Sequence, residues 1–367
     1  MALNLKDPEV RARVLEHEVE VLRIKSEARR ILKAEERGVA AFPEVQTLAD
    51  FLAEPDDAEE YRVEGLQPMD SRALLAAQFK AGKTTIVANL IRSLLDGDPF
   101  LGKYAVMPVE GRVALIDFEM SKRQLKRWYR DQQIGKTARL VIFRMRGRAA
   151  RFNLADSEVR RWWVEQLRAM GVTYLIVDCL RPILDALGLD EAHEVGAFFV
   201  PFDVLLDEAG ISEALMVHHM GHANERSRGD SRLRDWPEVE WRLVRKDDDP
   251  ASTRFFTAYG RDVSVEEQQL GYDALTRRLT VVGGSRRAVK VDDALPDVIA
   301  FIREQKDPPS GNAIVNGLGN DHAKNVVKAA IKAGIAQGRI VTMDGPRKSK
   351  LHSVVTDGKV RAEECQT

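Results

Sequence analysis

The residues with the clearest chemical potential run from Ala77 to Thr85, in the order Ala-Gln-Phe-Lys-Ala-Gly-Lys-Thr-Thr. A glycine followed by a lysine and a hydroxyl residue is the core of a phosphate-binding loop. Successive backbone N–H groups converge on phosphate oxygens, Lys83 reaches the outer phosphates, and the Thr84 hydroxyl binds Mg2+. The whole loop is assigned to nucleotide binding: Ala77, Gln78, Phe79, Lys80, Ala81, Gly82, Lys83, Thr84 and Thr85. The pattern ordinarily opens on glycine, and Ala77 departs from it; a methyl group fits there if the residue keeps a negative φ. Two further acids close apolar runs. Glu119 follows Val113–Phe118, where it either accepts a proton from an attacking water or is a solvated strand-end carboxylate. Asp178 ends Thr173–Asp178, the place of an acid that orients Mg2+ or its water. His218 and His219 end another apolar run and could sense a γ-phosphate, bind a metal or be structural. Adjacent histidines on a strand face opposite ways, and no cysteine nearby in the sequence completes a metal site. Cys179 reads as a small buried residue rather than a nucleophile.

These side chains need a sheet and its helices to bring them together. Arg72–Ala76 reads as the strand before the loop, and Thr84–Leu95 has helical spacing after it. A strand, tight loop and helix N-terminus aim unpaired N–H groups and the helix dipole at one anion. Val113–Phe118, Leu140–Arg144, Thr173–Asp178 and Ala214–His219 read as further strands. Helices are expected at Ser121–Asp131, Ser157–Met170 and Glu191–Glu208, the last kinked or interrupted at Pro201. Continuous apolar runs fit parallel strands buried on both faces, and ligands bind where such strands end. Four shorter strands follow, Val239–Arg245, Arg254–Tyr259, Gln268–Tyr272 and Leu279–Val282. Arg261 sits after one of them. It could touch a γ-phosphate in an adjacent subunit or make an ordinary surface ion pair. Arg226, Arg228, Arg232 and Arg234 stud a polar segment that either grips a phosphate backbone or is simply solvated.

Outside this core, residues 1–68 are expected to be an N-terminal helical arm and linker. A helix from Asp7 to about Glu36 carries a near-heptad seam of Val10, Val14, Val21, Ile24, Ala28 and Ile31, to be buried within the chain or against a neighbouring subunit. A short helix is expected near Thr47–Leu52. Residues 69–284 form the α/β domain. Residues 285–367 form a C-terminal module entered through a flexible basic link, 284–290. Helices at Leu295–Glu304, Ala313–Leu318 and Asp321–Ala336, then a hairpin of Arg339–Met343 and Leu351–Val355, resemble a winged helix-turn-helix. Lys324, Lys328 and Lys332 share one face of the third helix, and Arg347, Lys348 and Lys350 lie at the hairpin tip, which suits DNA backbone contact or protein docking.

Together these motifs resemble a RecA-type P-loop ATPase core, α/β with a mostly parallel sheet, of the RepA-like and DnaB-like hexameric helicase group. The similarity covers about residues 70–283. Phe118-Glu-Met-Ser-Lys-Arg-Gln-Leu125 is similar to the Leu-Glu-Met-Ser stretch of DnaB-type helicases. His218-His219 and Gly229-Asp230-Ser231 are similar to the histidine strand and Gly-Ser loop of RepA-like proteins. The resemblance implies that Lys83 and Thr84 bind the phosphates and Mg2+ of ATP, Glu119 activates water, Asp178 supports Mg2+, and His218 or His219 senses nucleotide. Arg261 matches loosely the arginine such rings insert into a neighbour's site, and Arg127 lies at the position of a second family arginine. It also implies a homo-oligomer, a hexamer in that group, with single-stranded DNA through the ATPase ring and duplex or forked DNA on the winged module. Two other readings are a non-translocating ATP-dependent DNA-binding switch and a recombination-mediator ATPase.

Bulk properties agree with a globular protein. Of 367 residues, 44% are hydrophobic and 31% charged, so a large core is available, and the net charge of −1 confines any basic surface to local patches. Two distant cysteines, Cys179 and Cys365, argue against a disulfide framework or a zinc site and fit a reducing cytosol. The N-terminus lacks the order of a signal peptide, no apolar run is long enough to span a bilayer, and a cytoplasmic location is expected.

Overall fold

Strand β3, Arg72–Ala77, is the axis of the molecule: every residue after Arg72 is buried. A strand with both faces covered must be apolar throughout, and Ala-Leu-Leu-Ala-Ala is. In the computed structural model, residues 45–54, 60–220, 232–247, 249, 252–346 and 349–355 are described, with 14, 17–21 and 23–25. Residues 1–58 and 59–367 are separate compact units.

In the first unit the described residues among 14–25 are helical; the rest of the helix expected from Asp7 to Glu36 lies outside the described residues. The helix Leu48–Ala53 is capped by Thr47, whose hydroxyl accepts from the Asp50 N–H.

The second unit begins earlier than the composition suggests. Residues 60–68 are not linker: β1, Tyr61–Val63, and β2, Gln67–Pro68, pair antiparallel. Arg62 reaches Glu213 in a buried ion pair at 2.7 Å and donates to the carbonyls of Met107 and Pro108. Eight strands join β3 to build a nine-stranded sheet: β4, Arg112–Asp117; β5, Leu140–Arg144; β6, Val172–Asp178; β7, Glu213–His219; β8, Val239–Arg245; β9, Arg254–Gly260; β10, Ser264–Asp273; and β11, Arg278–Gly283. The order is β11-β10-β9-β8-β3-β7-β6-β4-β5. From β8 to β5 all pairs are parallel, whereas β9, β10 and β11 return antiparallel. This is an α/β, mostly parallel, RecA-like P-loop architecture.

Alternation along the strands divides the interior in two. Leu75, Leu115, Ile176 and Val217 face the helix Lys83–Asp96. Leu74, Ile116, Val177 and Met216 face the helices Ser157–Ala169 and Val195–Ala209. On that second face Trp163 meets Phe152 edge to face at 5.0 Å, and Phe198 stacks on Phe202 at 5.5 Å. Contrary to the expected interruption, Val195–Ala209 runs continuously through Pro201.

The expected flexible link at 284–290 is also corrected. Ser285 caps a 19-residue helix, Arg286–Glu304, which passes through Pro296. Arg286 bonds Glu267 at 2.8 Å, and Val289 packs against Ala76, Met220, Val244 and Phe255. A basic segment that looks solvated in sequence is thus anchored to the sheet. The helices Gly311–Gly317 and Lys324–Ala336 and the hairpin of β12, Ile340–Asp344, and β13, Lys350–Val354, complete a small third core. Among the described residues no helix is long and apolar enough to cross a membrane.

Candidate nucleotide site

The loop after β3 turns at the carboxyl edge of the sheet. Ala77 is not among the positive-φ residues, and it pairs with His219 on one side and Leu243 on the other. Its methyl is therefore accommodated as an ordinary strand side chain. Gln78 ties the loop to β8 through its N–H to Leu243 O and its Oε1 from the Arg245 N–H. Gly82 caps the helix Lys83–Asp96 with φ +106, a value that glycine adopts without strain. Its position leaves the helix N-terminus open, with no acid in the first turn to compete for an anion.

Three other strand ends, those of β4, β6 and β7, supply the chemistry. Asp117 and Asp178 are register partners on β4 and β6. Burial first, then the charge of Asp117, pushes the Asp178 carboxyl up to about 7 from 3.8. Burial likewise raises Asp117 to about 6, against a hydrogen bond from the Met120 N–H. One oxygen of each, Asp117 Oδ2 and Asp178 Oδ1, is buried with no hydrogen-bond partner among the described residues. The neighbouring Thr84 side chain holds that rise in the Asp178 pKa back. Two buried acids beside a hydroxyl, with orphan oxygens, are the donor set a hard divalent cation fits.

Above them runs a hydrogen-bonded line. Lys83 Nζ lies 2.8 Å from His219 Nδ1, and His219 Nε2 lies 3.1 Å from Glu119 Oε1. A lysine ammonium can only donate, so Nδ1 accepts and Nε2 carries the proton given to Glu119. That bond is the first cause of the lowered Glu119 pKa. Glu119 also accepts from Cys179 Sγ at 3.3 Å. Burial lowers the Lys83 pKa, opposed by Cys179, Glu119 and Asp178. A cleft of about 430 Å3 opens over these groups, walled by Trp128, Tyr272 and Arg254.

A family model described as an AAA domain matches residues 38–225, more than half of the chain. The chain belongs to the AAA-domain family. Family and phosphate loop together make it a P-loop ATPase. Among solved structures it is similar to a KaiC-like protein of the hyperthermophilic archaeon Pyrococcus horikoshii OT3, at 15% identity and a TM-score of 0.42, over 60% of this chain and 93% of that one. No curated protein matches in sequence.

Within this ATPase core, Lys83, Thr84, Glu119, Asp178 and His219 converge, but other residues singled out in the sequence do not. The adjacent histidine rings diverge: His218 is fully buried, with Nε2 3.1 Å from Glu191 Oε1. Arg261 follows β9, which runs antiparallel to β8, so it lies at the sheet edge opposite its own phosphate loop. Arg127 is exposed on the helix Lys122–Asp131. Arg226, Arg228, the Gly229–Ser231 stretch and the Arg232 side chain lie outside the described residues, as do Arg347 and Lys348; Arg234 is on the helix Arg232–Asp235.

The sequence reading missed three members of the site. Asp117 ends an apolar run just as Asp178 does, a signal that was available and overshadowed by Glu119 two residues on. Arg254 donates from Nε to Ala81 O at 2.8 Å and stacks over Tyr272. Only the hairpin pairing of Arg254 with Arg245 brings it to the loop. Cys179, distant from the histidines in sequence, stands beside Glu119 because β6 lies between β4 and β7.

Proposed function

We propose that the chain is a ring-forming, DNA-dependent ATPase motor of the RepA-like helicase type. The observation that carries the reading is the unbroken line from Lys83 through His219 to Glu119, which connects a phosphate-binding lysine with a base for water. Asp178 and Thr84 would hold Mg2+, with Asp117 behind them; the ion supplies neutralisation of phosphate charge. The loop N–H groups and Lys83 bind and orient the triphosphate. Drawing Lys83 toward phosphate frees Nδ1 of His219, and Nε2 carries that change to Glu119. Glu119 takes the proton of the attacking water, for which its lowered pKa keeps it ionised. Arg261, at the far edge of its own sheet, serves a neighbouring subunit's nucleotide.

Two basic surfaces support nucleic acid as the partner. Lys324, Lys328 and Lys332 are all exposed on the helix Lys324–Ala336, while Val327, Ala330 and Ile331 bury its other face. Three helices followed by a hairpin are the order of a winged helix. At the carboxyl edge of β5, Arg144, Arg146 and Arg148 converge with Lys122 on a second hollow of about 230 Å3. Exposed cations of this kind track phosphate backbones.

The test is ATP turnover with and without single-stranded DNA, in the parent and in Lys83→Ala. Turnover stimulated by DNA and abolished by the substitution is expected. Turnover indifferent to DNA defeats the motor, and turnover surviving in Lys83→Ala defeats the site.

A further inference from the structure

We propose that Glu119, Cys179 and His219 form a site for a thiophilic divalent cation of the Zn2+ class. The three residues come from separate strand ends, yet one donor atom from each lies within 4.8 Å of the other two. Glu119 Oε1 is 3.3 Å from Cys179 Sγ and 3.1 Å from His219 Nε2. Around a tetrahedral Zn2+ with ordinary bond lengths the corresponding edges are ~3.6 and ~3.3 Å. Two edges of the triangle are therefore already close to those of a coordination shell, the third, between Cys179 and His219, lies within 4.8 Å, and a cation that replaces the shared protons closes that edge. Glu119 and His219 line the cleft, so the fourth coordination position faces its open space.

The donor set decides the ion. One sulfur, one imidazole nitrogen and one carboxylate oxygen suit Zn2+, Co2+ or Cu2+, whereas Mg2+ takes oxygen alone. This site is accordingly distinct from the oxygen donors of Asp117, Asp178 and Thr84. Binding releases the thiol proton of Cys179 and moves the His219 proton from Nε2 to Nδ1, so one proton leaves per cation bound. A protonated Nδ1 then meets the Lys83 ammonium, which now sits at 2.8 Å. The cation and Lys83 in its present position exclude each other. Occupancy also removes Glu119 and His219 from catalysis, so the ion inhibits turnover; that consequence, unlike the binding, rests on the hydrolysis reading above.

The experiment is a Co2+ titration of the full chain followed by absorption. The parent should show a thiolate-to-cobalt charge-transfer band with tetrahedral d–d bands, reversed by Zn2+ and not by excess Mg2+. Cys179→Ala should lose the charge-transfer band, His219→Ala should weaken Co2+ by at least ~10-fold, and Lys83→Met should tighten it. No thiolate band in the parent overturns the proposal. So does a band that survives Cys179→Ala, which would belong to Cys365, or an affinity indifferent to Lys83→Met. In a second arm, Zn2+ should inhibit the parent more strongly, relative to its own rate, than it inhibits Cys179→Ser. A protein that hydrolyses nothing leaves the spectroscopic result standing.

Discussion

Asp178→Asn should stabilise the nucleotide-free protein, and by more as the pH rises. Asp178 sits in the sheet beside Asp117 with one oxygen unpartnered among the described residues, and burial with its neighbour's charge raises it from 3.8 to about 7. Between those values the folded state binds more protons than the unfolded one, so stability falls as pH rises. The contribution is fully present below the unfolded pKa and lost by the folded one. A shift of about three units corresponds to ~4 kcal/mol. Roughly a third of it is expressed by about pH 5 and all of it by about pH 8, so the advantage of the asparagine should widen by ~2–3 kcal/mol across that interval. Urea denaturation without Mg2+, followed through the buried Trp163 and Trp241, measures the difference. A gap that is constant with pH, or a variant less stable than the parent at the higher pH, refutes the reasoning. Because Asp117 contributes to the shift, adding Asp117→Asn should gain less than the sum of the single changes.

Glu119→Gln should retain nucleotide affinity while kcat drops ~10²–10⁴-fold, as single-turnover and equilibrium-binding measurements would show. Arg254→Ala removes the bond to Ala81 O and the wall over the cleft, so KM for ATP should rise several-fold with the urea midpoint almost unchanged. Arg62→Met strands Glu213 in the interior and should cost ~3–5 kcal/mol in denaturation, more than any exposed pair in the chain. Lys324→Glu with Lys328→Glu should weaken DNA binding and lower the salt dependence by ~2 in slope, measured by fluorescence anisotropy at several salt concentrations.

The parallel half of the sheet was readable because its strands are buried on both faces, and runs such as Leu-Leu-Ala-Ala or Leu-Ile-Val-Asp have few other homes. The phosphate loop was readable because its chemistry is contiguous. What escaped was chemistry assembled across strands. Cys179 meets His219 through the strand order alone, and Arg254 reaches Ala81 only through an antiparallel return. The stretches misread as linkers failed for a related reason. Residues 60–68 owe their order to Arg62 meeting Glu213, 151 residues away. The segment after Gly284 is basic enough to look solvated, although Ser285 is a sound N-cap and Val289 and Val291 point to a buried stripe.

The helix Arg286–Glu304 has a mechanical consequence. One end is clamped to the sheet beside Ala76, one residue before the phosphate loop, and the other supplies Val298, Ile299 and Ile302 to the core that carries the lysine face. Nineteen residues span ~28 Å, so a tilt of ~5° at the clamped end sweeps the far end through ~2.5 Å. The lysine-bearing tail thus rides on a lever arm in series with the loop that grips phosphate, and small rearrangements there arrive at the tail enlarged.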